Sequence, residues 1–394
     1  MIIPMQYRLD PKSGNKLSAL GFGCMRFPRG IGIDLAKSEK LVLEAVERGV
    51  NYFDTAYIYG GSEDALGEIL HKNSLRDKIY LATKLPHGKC KSYGDFDKHF
   101  NEQLKRLRTD HIDYYLIHNL ADTDAWRAAV DIGIEKWIAE KKASGQIRQI
   151  GFSFHGVQTE FLRLLDAYPW EFCQIQYNYM NENYQAGRLG LQKAHEKGLP
   201  VVIMEPLLGG KLASGVPKKA AKLLSEASPD LTPAAWGLKW LWDQPEVSVV
   251  LSGMNAPEQL SDNIKTAETA EIGTLTGGEL TVIDKVRAVF KESYKVPCTG
   301  CNYCMPCPNR VNIPGCFAAY NASYANGFIT GVTQYMTSTN VLHSSGGLKA
   351  SNCVKCGLCE KKCPQHIEIS KELANVKKRL EPFWFSALLK IARR

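Results

Sequence analysis

Ile79-Tyr-Leu-Ala-Thr-Lys84, Phe96–Arg108 and Ile112-Asp-Tyr-Tyr-Leu-Ile-His118 follow one another in the chain, and Trp126–Ser144 and Ile147-Arg-Gln-Ile-Gly-Phe-Ser153 continue the series. The first, third and fifth segments are short β-rich runs, as buried strands are. The second and fourth carry apolar residues at three- and four-residue spacing, as helices with one buried face do. Strand, helix, strand in strict alternation implies parallel strands joined by right-handed crossovers.

Outward from this stretch the alternation continues. Further strands are expected at Ala19–Gly23, Tyr52–Asp54, Phe172–Gln176, Val201–Met204 and Val247–Ser252, and further helices at Asp34–Arg48, Thr159–Ala167, Arg188–Lys197 and Ala234–Trp242. Eight strands of this kind predict an α/β fold of the closed (β/α)8 TIM-barrel type over residues 1–270. A doubly wound open sheet is the alternative. No Gly-x-Gly-x-x-Gly follows the first strand, because Gly21-Phe-Gly23 breaks off at Arg26, and no P-loop is present. Residues before the first strand read as a hairpin turning at Lys12-Ser-Gly-Asn15, placed to plug the N-terminal mouth. Residues 271–296 read as a linker and a helix, Glu279–Tyr294. Asn321–Ser351, rich in Tyr, Asn, Thr, Ser and Gly, is expected to be mostly irregular.

Composition narrows the class. Hydrophobic residues make up 44% of the 394 and charged residues 23%, ordinary globular usage. No stretch approaches the roughly 20 apolar residues of a membrane span, and the first ten residues lack the zones of a signal peptide. A cytoplasmic protein is expected. The formal charge of +8 raises nucleic-acid binding, but the basic residues are scattered and not interleaved with aromatics, so no nucleic-acid partner is expected.

Cysteine is the informative residue. Of twelve, nine fall between Cys298 and Cys363. Cys298, Cys301, Cys304 and Cys307 form C-x2-C-x2-C-x2-C before Pro308. Cys353, Cys356, Cys359 and Cys363 form C-x2-C-x2-C-x3-C before Pro364. The second run has the bacterial ferredoxin spacing, in which three cysteines hold one [4Fe–4S] cluster and the fourth holds the other. By that logic Cys298, Cys301, Cys304 and Cys363 share one cluster, and Cys353, Cys356, Cys359 and Cys307 share a second. The first run is one residue short, so Cys316 is a possible replacement for Cys307. A pair of structural zinc sites is the alternative, although zinc favours separated cysteine pairs. Residues 297–394 are therefore expected to form a mainly helical, ferredoxin-like iron–sulfur domain. Two bound clusters would reduce the net charge to about +4.

Four titratable residues fall at or just past strand ends: Asp54, Tyr59, Lys84 and His118. Barrel active sites sit at that end. Carbonyl reduction needs a hydride donor and an acid for the developing alkoxide. A phenol serves as the acid if its anion is stabilised by a nearby ammonium. Tyr59 is then the proton donor, Lys84 the ammonium, Asp54 the group that fixes Lys84, and neutral His118 the group that orients the carbonyl oxygen.

Asn51-Tyr-Phe-Asp-Thr-Ala-Tyr-Ile-Tyr-Gly60, Leu81-Ala-Thr-Lys84 and Asp113-Tyr-Tyr-Leu-Ile-His118 resemble the aldo-keto reductase family. So do Gly21–Met25, Gly151–Ser153, Gln174–Asn178, Glu205–Gly209 and Ser252–Asn263. The likeness spans roughly residues 5–266 and implies that Asp54, Tyr59, Lys84 and His118 are the family's tetrad. It also implies that Gly23, Met25, Ser153, Gln176, Met204, Leu207, Gly253, Gln259 and Asn263 line a nicotinamide cofactor, Ser153 and Gln176 at the carboxamide and Asn263 at the adenine end. Two departures are visible. Met204 stands where many members stack an aromatic ring. Gly253 and Gln259 stand where a Lys and an Arg usually clamp a 2′-phosphate. NADPH and NADH both remain open, and a flavin is possible.

The expected function is reduction of a small carbonyl substrate, an aldehyde or ketone, linked through two [4Fe–4S] clusters to a ferredoxin or other redox partner. Two alternatives stand beside it: a ferredoxin-fed reductase using flavin or clusters, with a vestigial nicotinamide site, and a non-catalytic electron-transfer module. The basic amphipathic tail Phe383–Arg394 is expected to dock on the protein rather than on a membrane.

Overall fold

A computed structural model of the chain describes residues 5–341 and 347–381; the tail Phe383–Arg394 lies outside them. The hairpin is present as β1 (Tyr7–Leu9) and β2 (Lys16–Ser18), paired antiparallel. Its turn is closed by Asp10, whose carboxylate accepts from Lys12 N at 2.8 Å and Ser13 Oγ at 2.6 Å. Gly14 takes φ 77° there, a conformation that favours glycine.

The first barrel strand is β3 (Leu20–Gly23). A two-residue ribbon, β4 (Arg29–Gly30) with β5 (Gly32–Ile33), precedes α1 (Leu35–Glu47), which Asp34 caps by accepting from Lys37 N. Then come β6 (Tyr52–Asp54), α2 (Ser62–Lys72), β7 (Tyr80–Leu85), α3 (Tyr93–Leu107) and β8 (Ile112–Ile117). The single helix expected over Trp126–Ser144 is two, α4 (Thr123–Asp131) and α5 (Ile134–Ala143), because Gly133 breaks the chain at φ 94°. After these follow β9 (Ile147–Phe154), α6 (Gln158–Ala167), β10 (Phe172–Gln176), α7 (Gly187–Glu196), β11 (Val201–Met204), α8 (Lys218–Ala227), α9 (Pro233–Trp242), β12 (Val247–Ser252) and α10 (Pro257–Ala267).

The eight strands β3, β6, β7, β8, β9, β10, β11 and β12 close into a parallel barrel, β12 pairing with β3. Its lower interior is filled by Tyr52, Tyr114, Phe172, Val249 and Leu251, with Leu17 of the hairpin packed beneath. Tyr114 Oη donates to Asp10 at 2.7 Å, tying the plug to the barrel floor. Because every strand is parallel, all eight C-terminal ends open at the opposite mouth.

The chain divides into two compact units, Met1–Leu207 with Ala234–Leu275, and Leu208–Pro233 with Thr276–Arg394. The expected barrel span of 1–270 includes Leu208–Pro233, which compactness assigns to the second unit. Tyr294 Oη donates to Gly215 O at 2.6 Å, and the Lys211 ammonium lies 5.1 Å from the centre of the Tyr294 ring. The second unit contains α11 (Gly277–Ser293), with a Thr276–Glu279 capping box, and then α12 (Ile313–Ala325), α13 (Phe328–Thr339) and α14 (Ile369–Leu380). The expectation of irregular chain over Asn321–Ser351 is corrected: much of it is the end of α12 and all of α13. Thr, Asn and Tyr are weak helix formers, but packing overrides them. Cys316, Phe317 and Tyr335 are fully buried in the core of this unit. Gly331 brings α13 so close that a Cβ there would stand 2.6 Å from Ser323 Cα.

Candidate active site and metal centre

Asp54 ends β6, Lys84 lies one residue before the end of β7, and His118 follows β8 directly. Tyr59 lies in the turn between β6 and α2. The four come from three adjacent strands at one mouth. Lys84 is 1% exposed and Asp54 4%. A buried ammonium needs a partner, and Lys84 Nζ donates to Asp54 Oδ1 at 2.6 Å and to Thr55 O at 2.6 Å. The other carboxylate oxygen of Asp54 accepts from Gln174 Nε2 at 2.9 Å. The Lys84 ammonium stands 5.0 Å from the centre of the Tyr59 ring. That ring meets the His118 imidazole edge-on, centres 5.9 Å apart.

A second layer holds β7 in register behind this pair. Gln103 Nε2 donates to Lys84 O at 3.1 Å and to Glu63 at 2.7 Å, and Thr83 Oγ1 donates to Glu63 at 2.6 Å. Arg106 pairs with the second Glu63 oxygen at 3.1 Å. Burial raises the Glu63 carboxyl above the usual carboxylate value, with the hydrogen bonds from Thr83, Gln103 and Arg106 pulling the other way.

Burial lowers the Lys84 ammonium, with Asp54 opposing the shift. Burial first, then the charge on Lys84, and then His155 and His87 push His118 well below the ordinary histidine value. His118 is therefore neutral at neutral pH. Cys24 is held well above the usual thiol value by burial and then by Asp54, Lys84 pulling the other way, so it remains a thiol.

The residues expected around a cofactor sit at the same mouth. Gly23 ends β3, and Met25 follows it in a 3-10 turn. Ser153 is buried near the end of β9, its Oγ accepting from Asn119 N at 2.8 Å. Gln176 ends β10, fully buried, and neither its Nε2 nor its Oε1 has a hydrogen-bond partner among the described residues. Such an amide is suited to a ligand that is itself an amide. Met204 ends β11, half-buried against the barrel interior. Leu207 packs toward Gly237. Gly253 follows β12, Gln259 Oε1 accepts from Asn255 N at 2.9 Å, and buried Asn263 donates to Ser252 Oγ at 2.8 Å. Gln259 is thus occupied within its own loop.

Four residues escaped the sequence reading. Gln174 is visible in hindsight, because it lies two positions before Gln176 on the same face of β10. Arg26 is a cation whose stem lies against Gly253, so that a Cβ there would stand 3.0 Å from Arg26 Cδ; nothing in the spacing links residues so far apart in the chain. His87 sits in the turn after β7, and burial lowers its imidazole. Cys24 carried no signal beyond its proximity to Gly23. His155 is buried just past the end of β9, its Nδ1 3.1 Å from Gln185 Oε1.

In the second unit Cys298, Cys301, Cys304 and Cys363 line one cavity with Ile313, Phe317 and Ile369. The Cys304 thiol is pushed up to about 12 by burial and by Cys298, Cys301 and Cys363. Burial raises the Cys359 thiol above its usual value, and Glu360, Cys353 and Cys307 lie near enough to add to the shift. Cys316 is elsewhere, fully buried, its Sγ 3.9 Å from Leu348 O and beside Tyr335. Cys307, not Cys316, therefore stands with Cys359. Among the described residues no three Cys, His, Asp or Glu side chains converge tightly enough to hold a single metal ion. Cys298, Cys301, Cys304 and Cys363 instead surround a space. A cubane takes each thiolate on a different iron, so its ligands stand farther apart than those on one zinc. No helix of the described residues is long and apolar enough to cross a membrane.

A closed parallel barrel with a buried Lys–Asp pair, a tyrosine and a neutral histidine at its C-terminal mouth defines a barrel oxidoreductase, here followed by a cysteine-cluster domain. Residues 19–286 match the model of the aldo/keto reductase family, and the chain belongs to that family. Residues 297–368 match the model of a 4Fe-4S dicluster domain. The uncharacterized oxidoreductase YqkF of Bacillus subtilis is 29% identical over 283 residues, 65% of this chain and 89% of that protein. The L-glyceraldehyde 3-phosphate reductase of Escherichia coli K12 is 24% identical over 330 residues, 71% of this chain and 92% of that one. The solved aldo-keto reductase AKR11C1 from Bacillus halodurans, in its holo form, matches with TM-score 0.59 and 26% identity, covering 72% of this chain and 96% of that one.

Proposed function

We propose that this chain reduces the carbonyl group of a small aldehyde or ketone with NADPH or NADH, and that its C-terminal domain carries two [4Fe–4S] clusters linking the protein to a one-electron redox partner. The observation that carries the first part is the buried Lys84–Asp54 pair at 2.6 Å, beside Tyr59 and His118. The nicotinamide, when bound, supplies the hydride to the carbonyl carbon. Tyr59 gives its phenolic proton to the carbonyl oxygen. Lys84 stabilises the phenolate left behind, and Asp54 and Thr55 O hold that ammonium in place. His118, kept neutral by burial and by Lys84, donates a hydrogen bond that orients the carbonyl oxygen. Gln176 would take the carboxamide of the cofactor.

The metal reading is supported by the two four-cysteine sets, Cys298, Cys301, Cys304 and Cys363 on one side, and Cys307, Cys353, Cys356 and Cys359 on the other. One-electron clusters and a two-electron nicotinamide do not exchange directly without a converter, so the clusters are assigned to partner linkage rather than to the hydride step.

The test is anaerobic. Purified protein, assayed with NADPH or NADH and a panel of small aldehydes and ketones, should show reduction that Tyr59→Phe lowers by roughly 10²–10⁴-fold. Cofactor affinity, measured by fluorescence titration, should be unchanged in that variant. Full activity in Tyr59→Phe would remove Tyr59 from the acid role. Iron analysis should give about eight atoms per chain.

A further inference from the structure

The two cysteine sets differ in their surroundings. Cys298, Cys301, Cys304 and Cys363 face a cavity walled by the buried side chains of Ile313, Phe317 and Ile369. The other set comes to the surface at one member, the rest being partly buried like the first four. Cys356 is exposed, and its loop turns Val354 (64%) and Leu358 (52%) toward solvent. Lys355, Lys361 and Lys362 on the same loop are exposed too. Arg310, three residues past Cys307, is exposed and tethered to this loop by Asn352 Nδ2, which donates to Arg310 O at 3.1 Å. None of these four cations forms an ion pair among the described residues. The one acid between Asn352 and Cys363 is Glu360, and its Oε1 is taken up by Ser370 N at 2.7 Å.

Two large apolar side chains held in water beside a ligand cysteine, within a rim of unpaired positive charge, have the composition of an interface. Four cations against Glu360 and the charge of about −2 that a bound cluster would add leave the face net positive, and that sign selects the partner. We infer that this face docks an acidic one-electron carrier protein, and that the electron crosses at the cysteine set Cys307, Cys353, Cys356 and Cys359. In the transfer the reduced carrier loses one electron and this centre gains it; no bond forms or breaks and no proton moves. Tunnelling weakens steeply with distance, so exposed Cys356 marks the point of contact. The inference rests on the reading that the cysteine domain exchanges electrons with a partner, and it adds which face does so and what charge the partner carries.

The experiment uses the full chain with its clusters, purified anaerobically, and a small acidic two-cluster ferredoxin reduced beforehand. Stopped-flow bleaching gives the second-order rate constant as a function of ionic strength, and calorimetry with the oxidised ferredoxin gives Kd. The rate should fall as salt rises. Combined Lys355→Glu, Lys361→Glu and Lys362→Glu should slow transfer by roughly ten-fold or more at low salt, flatten or invert the salt dependence, and weaken Kd in parallel. Iron content and the extent of reduction by dithionite should stay unchanged. Lys218→Glu with Lys219→Glu and Lys222→Glu, an equal charge change on the exposed face of α8, should leave the transfer rate near that of the natural chain. A loop variant as fast as the natural chain, or a control variant equally slow, overturns the docking face. So does self-association of the natural chain that the loop variant abolishes, which would assign the face to a second copy. If the natural chain is reduced by dithionite but takes no electrons from the ferredoxin, it is the partner reading itself that fails.

Discussion

Gln176 is fully buried with both amide atoms unpartnered among the described residues. Each such group costs about 1–3 kcal/mol of desolvation without return, so its retention asks for a ligand. Gln176→Leu keeps the volume and removes both polar atoms. Its stability is expected to rise by about 1 kcal/mol, while cofactor affinity falls by roughly ten-fold. Thermal melts and fluorescence titration read the two separately; a variant that loses stability and keeps its affinity would make Gln176 structural. Arg26 is the exposed cation whose stem lies against Gly253, in a loop with no Lys or Arg from Gly253 to Ile264. If it meets the 2′-phosphate, Arg26→Ala weakens NADPH by about ten-fold and NADH by much less. Equal losses would move Arg26 to the phosphates that both cofactors share. The four strand-end residues were legible in the sequence because strand ends are. Arg26 and Gln174 were not read out, because their roles depend on barrel closure, which brings β12 beside β3 and turns β10 toward Asp54.

The close approach of α12 and α13 is made by small residues rather than by an apolar stripe. Gly331 faces Ser323, whose Cα and N would stand 2.6 and 2.8 Å from an added Cβ. These are backbone atoms and have no rotamer to change. Gly331→Ala must therefore push the two helices apart, at an expected cost of about 1–3 kcal/mol, although alanine alone favours a helix. Urea titration followed by the visible absorbance of the iron centres should show the loss at lower denaturant, with tryptophan fluorescence less affected. An unchanged midpoint would mean that the helices are not held at this contact. The eight barrel strands were legible to within a residue or two, since each is a short β-rich run alternating with longer helical stretches. The pair α12 and α13 was not, because Asn, Thr, Ser and Gly read as loop wherever tertiary packing is invisible. α2, α8, α10 and α14 were not named either. In α2 the apolar positions are interrupted by Gly67, and that glycine is there because a Cβ would stand 2.1 Å from Arg106 O.

For the whole molecule the histidines set how stability varies with pH. His118 is held well below its ordinary value by burial and Lys84, His87 is lowered by burial against a bond to the His118 backbone, and His99 is lowered by burial. In the unfolded chain the same imidazoles titrate near 6.5. Below that pH the unfolded state binds more protons than the folded one, so stability rises with pH through this window. The contribution is complete above about pH 7 and is lost as pH falls below about 6.5. Iron centres are themselves acid-labile, so the readout must report on the barrel. Six of the seven tryptophans lie between Trp126 and Trp242, which makes intrinsic fluorescence suitable. Melting temperature by fluorescence should drop between pH 7.5 and 5.5, and His118→Asn should flatten that dependence by removing the most strongly shifted group. A variant with the full acid slope would show that His118 is not held neutral by the fold. The proposal that it serves as an uncharged hydrogen-bond donor to the carbonyl would then lose its physical basis, even if those made for Lys84 and Tyr59 kept theirs.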